Sequence, residues 1–261
     1  DLAALESAGA HAVFAPSAEE MYPTDGAAMS PFVDLDGADD IGEGARAGQM
    51  RRAVARHMPA PMLWLTARPP PATHPARISH RSQSPLPAPG AARPGFFRGV
   101  ATVVAKLLNI VQPQRVYFGA KDGMQCVVVR RMVDALNFPT EVVVGPTVRE
   151  SDGLAMSSRN AYLSSNDRQA APAVYAALTA LRGAWESGER STAALRHVAA
   201  EVIAKEPRLS LEYVSLSDVA DGAELGEFVG EKGPNAEPAG RALASIAVRL
   251  GGTRLIDNVV L

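Results

Sequence analysis

The chain has almost no cysteine, no long apolar run and no large excess of charge of either sign. Its one cysteine, Cys126, cannot form an internal disulfide, which excludes the disulfide-stapled class of small secreted proteins. No run of about 18 uncharged apolar residues is present, so no transmembrane helix and no membrane partner are predicted. The formal net charge of −2 argues against a uniformly basic nucleic-acid binder. Cys126 lies in a helical pattern, where we expect a small buried side chain rather than a reactive thiol.

A phosphate-binding pattern follows a short apolar run at residues 116–118. Gly119 closes the run, Lys121 and Asp122 follow, and a helical pattern begins directly afterwards. A glycine turn at the start of a helix presents backbone N–H groups and the positive end of the helix dipole, which suits a phosphate. Lys121 adds a positive charge, and Asp122 can accept hydrogen bonds or face a metal ion. Taken alone, such a pattern is more often a plain turn.

A second polar loop follows the next apolar run, at residues 142–144. That run ends at Gly145, and the loop carries two hydroxyls and a guanidinium at Ser157, Ser158 and Arg159. Taken alone, these residues are typical of an ordinary helix cap. Because the carboxyl ends of parallel strands meet at one edge of a sheet, we expect the two loops to lie together there.

Together the two loops resemble the pantothenate synthetase (pantoate–β-alanine ligase) family. The family pattern is roughly FGEKDxQQ, followed by PTVREADGLAMSSRNxYL. Here residues 118–125 read FGAKDGMQ, and residues 146–163 read PTVRESDGLAMSSRNAYL, a nearly unbroken match. Ala120 stands where the family usually has glutamate. Gly123 and Met124 replace an aromatic residue and a glutamine.

The resemblance implies a two-step reaction. ATP and pantoate form pantoyl adenylate and pyrophosphate, and the amine of β-alanine then attacks the adenylate to give pantothenate and AMP. The implied substrates are ATP, pantoate and β-alanine, with Mg²⁺ as cofactor. The resemblance also implies a homodimer in the cytoplasm.

Site residues follow from the resemblance at matching positions. Lys121, Ser157 and Arg159 are expected to stabilise the transition state at the α-phosphate. Gln125 falls on the glutamine that holds pantoate, and Val148 on a backbone contact to adenine. No residue is assigned as a metal ligand. The full set expected to bind ATP is Gly119, Ala120, Lys121, Asp122, Val148, Met156, Ser157, Ser158 and Arg159.

Two family segments are missing from the sequence. The strings Met-Gly-x-Leu-His-x-Gly-His and Asn-Pro-x-Gln-Phe, which the family uses for the ATP phosphates and pantoate, occur nowhere in the 261 residues. We therefore expect a nucleotide-binding domain that is incomplete at its N-terminus, with Arg93 approaching the site. A rival hypothesis stays open, namely a catalytically inactive remnant that binds a nucleotide or a partner.

Residues 44–91 differ from the rest of the chain. They hold seven arginines, nine of the 20 prolines and three of the five histidines, with no lysine or acidic residue. Proline at this density prevents a continuous helix or central strand, so we expect a disordered insertion. Three interpretations stay open: a basic segment that contacts anionic partners, a spacer without a role, or translated sequence that does not belong in the functional protein. We favour the third. An arginine-rich nucleic-acid module is a weaker rival. His57, His74 and His80 lack the spacing of a zinc site.

The predicted fold is an α/β, Rossmann-like nucleotidyltransferase domain of the HIGH superfamily with a smaller C-terminal α+β lid domain. The boundaries are 1–163 for the partial nucleotide-binding domain and 164–261 for the lid. The apolar periodicity predicts helices at 2–9, from Gly99 to before Pro113, from Gly123 to Leu136, from about Ser165 to Trp185 with a break at Pro172, and from Ser191 to Lys205. It predicts strands at 12–15, 115–118, 142–144, 211–216, 242–250 and 253–261.

Several side chains also receive individual interpretations. The helix after Lys121 is expected to bury Val127, Val128, Met132 and Leu136. Arg130 and Arg131 are expected to face solvent, and His197 to be a surface or packing histidine. The pair Asp257-Asn258 matches the closing strand of the family and is interpreted as structural.

Overall fold

The computed structural model of the chain describes residues 2–21, 96–229 and 241–261. The predicted insertion at 44–91, its three histidines and Arg93 lie outside these ranges. We call the described residues up to Leu163 the first unit and those from Ser164 onward the second unit.

The first unit contains a pair of parallel strands. Its elements are α1 (Leu2–Ser7), α2 (Ala18–Met21), α3 (Phe96–Val111), β1 (Arg115–Gly119), α4 (Gly123–Ala135) and β2 (Glu141–Gly145). The strands pair in register from Arg115 opposite Glu141 to Gly119 opposite Gly145. Both strands therefore end at the same edge, which confirms the predicted placement of the two polar loops.

Helices α3 and α4 build the core of the first unit. Phe97, Ala101 and Leu108 of α3 pack with Val128 and Met132 of α4. The inward face predicted for α4 is confirmed at Val127, Val128 and Met132, which are all buried. It is wrong at Leu136, which is 38% exposed. The helix ends at Ala135, so Leu136 is a cap residue that leaves the helical face.

One further expectation for the first unit is wrong. Residues 12–15 form no strand, and Val13 and Phe14 are exposed. A strand persists only where its backbone groups pair with a neighbour, and residues 12–15 pair with neither β1 nor β2.

The two arginines of α4 lie at the surface, as expected. Arg130 is exposed, and Arg131 is partly exposed. Arg131 Nη1 also donates an exposed hydrogen bond to the carbonyl oxygen of Asp221 at 2.7 Å.

The second unit begins with three helices, two of which start at serine caps that the sequence indicates. They are α5 (Ser165–Ala170), α6 (Ala173–Glu186) and α7 (Thr192–Ala204). Ser164 and Ser191 cap α5 and α7, each accepting a hydrogen bond from a backbone N–H three residues on. The predicted interruption at Pro172 is confirmed, because α5 ends before it and α6 begins after it.

An antiparallel sheet completes the second unit. Its strands are β3 (Leu209–Asp218), β4 (Ala242–Leu250) and β5 (Thr253–Val260), in the spatial order β3-β4-β5. Leu178 and Leu181 of α6 and Leu195 of α7 pack in one core with Ile246 of the sheet. This arrangement of helices on one antiparallel sheet agrees with the predicted α+β part of the fold.

The two units share side chains. Leu154 of the first unit packs in the core of the second, and Leu243 of the second packs in the core of the first. The division at residue 163 therefore stays a prediction. Within the described ranges, no helix has the length and apolar character needed to cross a membrane.

Candidate functional site

The first loop, Gly119 to Asp122, lies at the edge where β1 ends. Residues Ala120–Asp122 form one turn of 3₁₀ helix, and α4 begins immediately after it at Gly123. Cys126 in the first turn of α4 is buried, and its Sγ lies 3.5 Å from the carbonyl oxygen of Gly119. Burial raises the pKa of the Cys126 thiol, which disfavours the nucleophilic thiolate. The side chain therefore packs under the loop, in agreement with the expected buried cysteine.

The second loop, residues 148–159, is closed by its own backbone. The N–H of Met156 donates to the carbonyl oxygen of Val148 at 2.9 Å, and the N–H of Glu150 donates to the oxygen of Leu154 at 2.8 Å. Ser157 then caps the short 3₁₀ helix Ser158–Tyr162, because its Oγ accepts a hydrogen bond from the N–H of Arg159 at 3.2 Å. The backbone at Arg159 is therefore held by a hydrogen bond at the start of this turn.

Arg168 of α5 braces the second loop from outside. Its guanidinium nitrogens lie 2.6 Å from both Glu150 Oε2 and Asp152 Oδ2. Hydrogen bonding to Arg168, and then to Asn160, lowers the pKa of the Glu150 carboxyl. Hydrogen bonding to Arg168 also lowers the pKa of Asp152. The brace is therefore formed by ionised carboxylates.

One cleft brings together residues from both loops and from the second unit. Lys121 of the first loop and Ser157 and Arg159 of the second loop line it, and its empty space, open mouth included, is about 310 Å³. Strand β5 contributes Arg254 and Asp257. Asp257 is already ion-paired with Arg149. Arg254 is likewise ion-paired, with Glu212. The other two charged residues of the wall, Lys121 and Arg159, are both positive, which suits an anionic ligand.

Asn160 lies on the wall of the cleft and is hydrogen-bonded within the second loop. Its Nδ2 donates to Glu150 Oε1 at 3.0 Å and to the carbonyl oxygen of Ala155 at 3.1 Å. Its Oδ1 is buried and lacks a hydrogen-bond partner among the described residues. The amide therefore helps to hold the second loop in shape. The sequence analysis did not single out Asn160.

The site residues predicted from sequence fall into three groups: those that line the cleft, one in the first turn of α4, and those in or beside the two loops. Lys121, Ser157 and Arg159, the three expected at the α-phosphate, line the same cleft. Gln125 is partly exposed in the first turn of α4 and is not part of the cleft wall. The other residues expected to bind ATP also lie off the wall, in or beside the two loops: Gly119, Ala120, Asp122, Val148, Met156 and Ser158.

Two neighbouring residues of β5 contact the loops in a way that the sequence analysis missed. Asn258 Nδ2 donates to the carbonyl oxygens of Ala120 and Lys121, at 2.9 and 2.7 Å. Asp257 holds Arg149 of the second loop through two hydrogen bonds. The signal was a polar pair between the apolar pairs Leu255-Ile256 and Val259-Val260, because buried polar side chains need partners.

Comparison with known proteins identifies a family that the chain resembles over its whole length. Residues 1–260 match the family model described as Pantoate-beta-alanine ligase. Pantothenate synthetase of Herpetosiphon aurantiacus is 41% identical over 261 residues, covering 100% of this chain and 74% of that protein. Pantothenate synthetase of Chloroflexus aggregans is 42% identical over 261 residues, covering 100% of this chain and 73% of that protein.

A solved structure is similar over nearly the whole chain. The crystal structure of pantothenate synthetase from Thermus thermophilus matches with a TM-score of 0.69 at 36% sequence identity. The match covers 99% of this chain and 72% of that one. The likeness confirms the predicted α/β nucleotidyltransferase-like fold with an antiparallel sheet in its C-terminal part.

Proposed function

The chain belongs to the pantoate-beta-alanine ligase family, and on that premise we propose that it condenses pantoate with β-alanine in an ATP-dependent reaction. The products are pantothenate, AMP and pyrophosphate. The observation that carries the proposal is the cleft in which Lys121, Ser157 and Arg159 come together. The family match supports the reaction, and the cleft supports the choice of residues.

The first step forms the acyl adenylate. A carboxylate oxygen of pantoate attacks the α-phosphorus of ATP, the bond to the bridging oxygen of the β-phosphate breaks, and pyrophosphate leaves. Negative charge is spread over the phosphate oxygens in the transition state, so fixed positive groups accelerate the step. We assign this task to the Lys121 ammonium and the Arg159 guanidinium. Ser157 joins them because its oxygen accepts from the Arg159 N–H and its own proton stays available to donate.

The second step forms the amide. The amine of β-alanine attacks the acyl carbon of pantoyl adenylate, AMP leaves with the bonding electron pair, and the amine loses a proton. Adenylation makes this step possible because AMP is a far better leaving group than hydroxide. Cations that bind the α-phosphate in the first step also stabilise the charge on the departing AMP.

The remaining ligand contacts are assigned to the rims of the two loops. We assign Gly119, Ala120, Asp122 and Ser158 to the ATP phosphates, and Gln125 to pantoate. Val148 and Met156 are assigned to adenine, since their apolar side chains are exposed and their backbones are hydrogen-bonded to each other. An exposed apolar pair beside a positively charged cleft suits a nucleotide, whose base is flat and whose phosphates are anionic.

Mg²⁺ also belongs to this proposal. Mg²⁺ is usually held by one or two carboxylates together with substrate phosphates and waters, rather than by a protein cage. No group of three or more potential metal ligands is found among the described residues. Asp122 fits the partial donor set, because its carboxylate is exposed next to Lys121. When bound, the ion neutralises phosphate charge. A homodimer and a cytoplasmic location complete the proposal, on the family resemblance.

The proposal is tested by AMP release from the 261-residue chain. ATP, Mg²⁺, pantoate and β-alanine are supplied together, and each is then omitted in turn. Because the sequence holds no Met-Gly-x-Leu-His-x-Gly-His string, a second protein carries that segment fused to the N-terminus. AMP release that requires pantoate, by either protein, supports the proposal. Its absence from both proteins would overturn it.

Matched variants test the assigned residues in whichever protein is active. Lys121→Ala and Arg159→Ala should each lower kcat by about 10²- to 10³-fold, the range seen when one transition-state donor is removed. Arg130→Ala is the control, since Arg130 is an exposed cation near the site that does not line the cleft. It should leave kcat within about twofold of the parent, because exposed charges away from a site have small effects. Equal losses in all three variants would argue for a general charge effect instead.

A further inference from the structure

Asn258 connects the last strand of the chain with the loop that carries Lys121. Its side-chain amide nitrogen has two protons, and both are used, one for the carbonyl oxygen of Ala120 at 2.9 Å and one for that of Lys121 at 2.7 Å. Asn258 itself is buried on β5, where it lies opposite Ser245 of β4. A side chain on a strand that is paired with its neighbour is a rigid support.

These two carbonyl groups are the ones on either side of the Lys121 Cα atom. The peptide group before this atom contains the carbonyl of Ala120, and the peptide group after it contains the carbonyl of Lys121. Each peptide group is planar, so a hydrogen bond to its oxygen orients the whole plane. Once both planes are oriented, the tetrahedral Cα leaves one direction for the Cα–Cβ bond of Lys121. Asn258 therefore fixes the point and the direction from which the Lys121 side chain starts toward the cleft.

The first loop lacks a side-chain cap at Gly119 and at Asp122, and the contact of Cys126 Sγ with the carbonyl oxygen of Gly119 lies before the two peptide groups that flank Lys121. Gly119, at the start of the 3₁₀ turn, has no side chain to cap it. Asp122 precedes α4 but makes no side-chain cap hydrogen bond. An uncapped single turn is held by few interactions of its own, because most of its backbone groups lack partners within the turn.

Gly123 makes the close approach of Asn258 possible. A Cβ atom at Gly123 would lie 2.9 Å from Asn258 Oδ1 and 3.0 Å from Leu243 Cδ1. Real Cβ atoms are almost never found that close to another heavy atom. The family pattern usually has an aromatic residue at this position. Glycine has no Cβ atom, so it leaves the space that the Asn258 side chain occupies.

The neighbouring residue on β5 supports the other loop. Asp257 is ion-paired with Arg149, and Arg149 Nη1 also donates to the carbonyl oxygen of Gly153 at 3.1 Å. Two consecutive residues of one strand thus hold both loops that line the cleft. The relative position of the loops, and of the cations they carry, depends on this strand.

We propose that Asn258 is a positioning residue for adenylation, which acts by orienting the backbone on both sides of Lys121. The inference rests on the proposed function, because Lys121 matters only if the cleft stabilises a transferring phosphate. Asn258 itself does not touch the reacting atoms. Its effect on the reaction passes through the Lys121 ammonium.

A double-mutant cycle separates positioning from general stability. AMP release is measured for the parent, Asn258→Ala, Lys121→Ala and the double variant. We expect Asn258→Ala to lower kcat by about 10- to 100-fold in the parent, in the range that coupled neighbours show, with a smaller change in the KM for pantoate. In the Lys121→Ala background the same substitution should change kcat by less than about threefold, because the group it positions is gone. A residue that only stabilises the fold would reduce activity equally in both backgrounds.

Two further variants complete the design. Arg131→Ala removes another hydrogen bond between the units, from Nη1 to the oxygen of Asp221, without touching the first loop. It should leave kcat within about twofold of the parent. Gly123→Ala disturbs the Asn258 contact from the opposite side and should lower kcat in the same direction as Asn258→Ala. It replaces Asn258→Ala in the cycle if that variant fails to fold.

Amide hydrogen exchange gives a readout that needs no substrate. In Asn258→Ala we expect faster exchange at residues 119–126, with the rest of the first unit unchanged. If the parent forms AMP but Asn258→Ala lowers kcat by the same factor with and without Lys121, the positioning role is wrong and the proposed function stands. If the parent and its N-terminal fusion form no AMP, the proposed function fails, and the role of Asn258 in adenylation fails with it. If AMP is formed, unchanged exchange at 119–126 in Asn258→Ala would overturn the positioning role, and faster exchange confined to that loop would support it.

Discussion

Arg149 and Asp257 form an ion pair with two hydrogen bonds that ties the second loop to the last strand. Nη1 lies 2.5 Å from Oδ2, and Nη2 lies 3.0 Å from Oδ1. The side chain of Asp257 is only 2% exposed. The guanidinium carbon of Arg149 also lies 3.7 Å from the centre of the Tyr175 ring. This arrangement joins a planar cation to a carboxylate at its edge and to an aromatic ring on its face.

Asp257→Ala should lower the free energy of unfolding by about 3–5 kcal/mol, the usual result of removing one partner of a buried ion pair. The reason is that the Arg149 guanidinium would stay largely buried without its counter-charge. Urea denaturation followed by circular dichroism gives the free energy of unfolding.

The control is Glu141→Ala, which removes an ion pair of similar length at the surface. Arg115 Nε lies 2.7 Å from Glu141 Oε2, and the two side chains are 63% and 62% exposed. Its loss should be below about 1 kcal/mol. Equal losses for the two variants would mean that burial does not determine the strength of the Arg149–Asp257 pair.

Gly153 has two separate reasons to be glycine. Its φ is +91°, in the left-handed region, and a Cβ atom would lie 2.6 Å from Cδ1 of Tyr175. Gly153→Ala should therefore be destabilising through the backbone and through displacement of the ring that stacks on Arg149. Thermal unfolding measures the loss.

Gly188→Ala separates these two contributions. Gly188 has a φ of +103°, but no heavy atom lies within 4 Å of its Cβ position. Its substitution should cost about 1–2 kcal/mol, the backbone contribution alone. We expect Gly153→Ala to exceed it, and a smaller loss for Gly153→Ala would contradict the steric contribution of Tyr175.

The brace made by Arg168 should weaken in acid. The pKa values of Glu150 and Asp152 are lowered from their ordinary values of 4.5 and 3.8, mainly by hydrogen bonds to Arg168. A carboxyl whose pKa is lower in the folded state stabilises the fold above its ordinary pKa, and this contribution is lost as the pH falls through the folded value. The melting temperature of the parent should therefore exceed that of Arg168→Gln by a constant amount above pH 4.5.

Below that pH the difference between the two melting temperatures should shrink. A series of thermal melts between about pH 2.5 and 6 measures it, within the range where carboxylates titrate. Arg130→Gln is the control for lost surface charge, because Arg130 is exposed and its substitution leaves the pairs of Arg168 with Glu150 and Asp152 in place. A difference for Arg168→Gln that stays constant through the acid range would show that the carboxylates do not stabilise the fold through Arg168.

The parts of the structure that sequence predicts well are those decided by local interactions. Helix periodicity located α3, α4, α6 and α7 because a helix makes its hydrogen bonds within a few residues. Pro172 marked the break between α5 and α6 because its ring cannot continue a helix. Leu136 and the strand predicted at 12–15 were wrong, since a cap and an unpaired strand depend on what lies nearby.

For the site, the sequence predicted which side chains line the cleft. The tertiary structure decided which distant residues hold the two loops in place. The two motifs predicted Lys121, Ser157 and Arg159 as site residues, and parallel pairing of the strands before them predicts that they meet at one edge. Asn258 and the Arg149–Asp257 pair bridge 137 and 108 residues of chain. Nothing in a local pattern states which carbonyl or carboxylate a distant side chain will reach. Only the packing of β5 against both loops decides it, because hydrogen bonds form at about 3 Å and depend on the position of each strand.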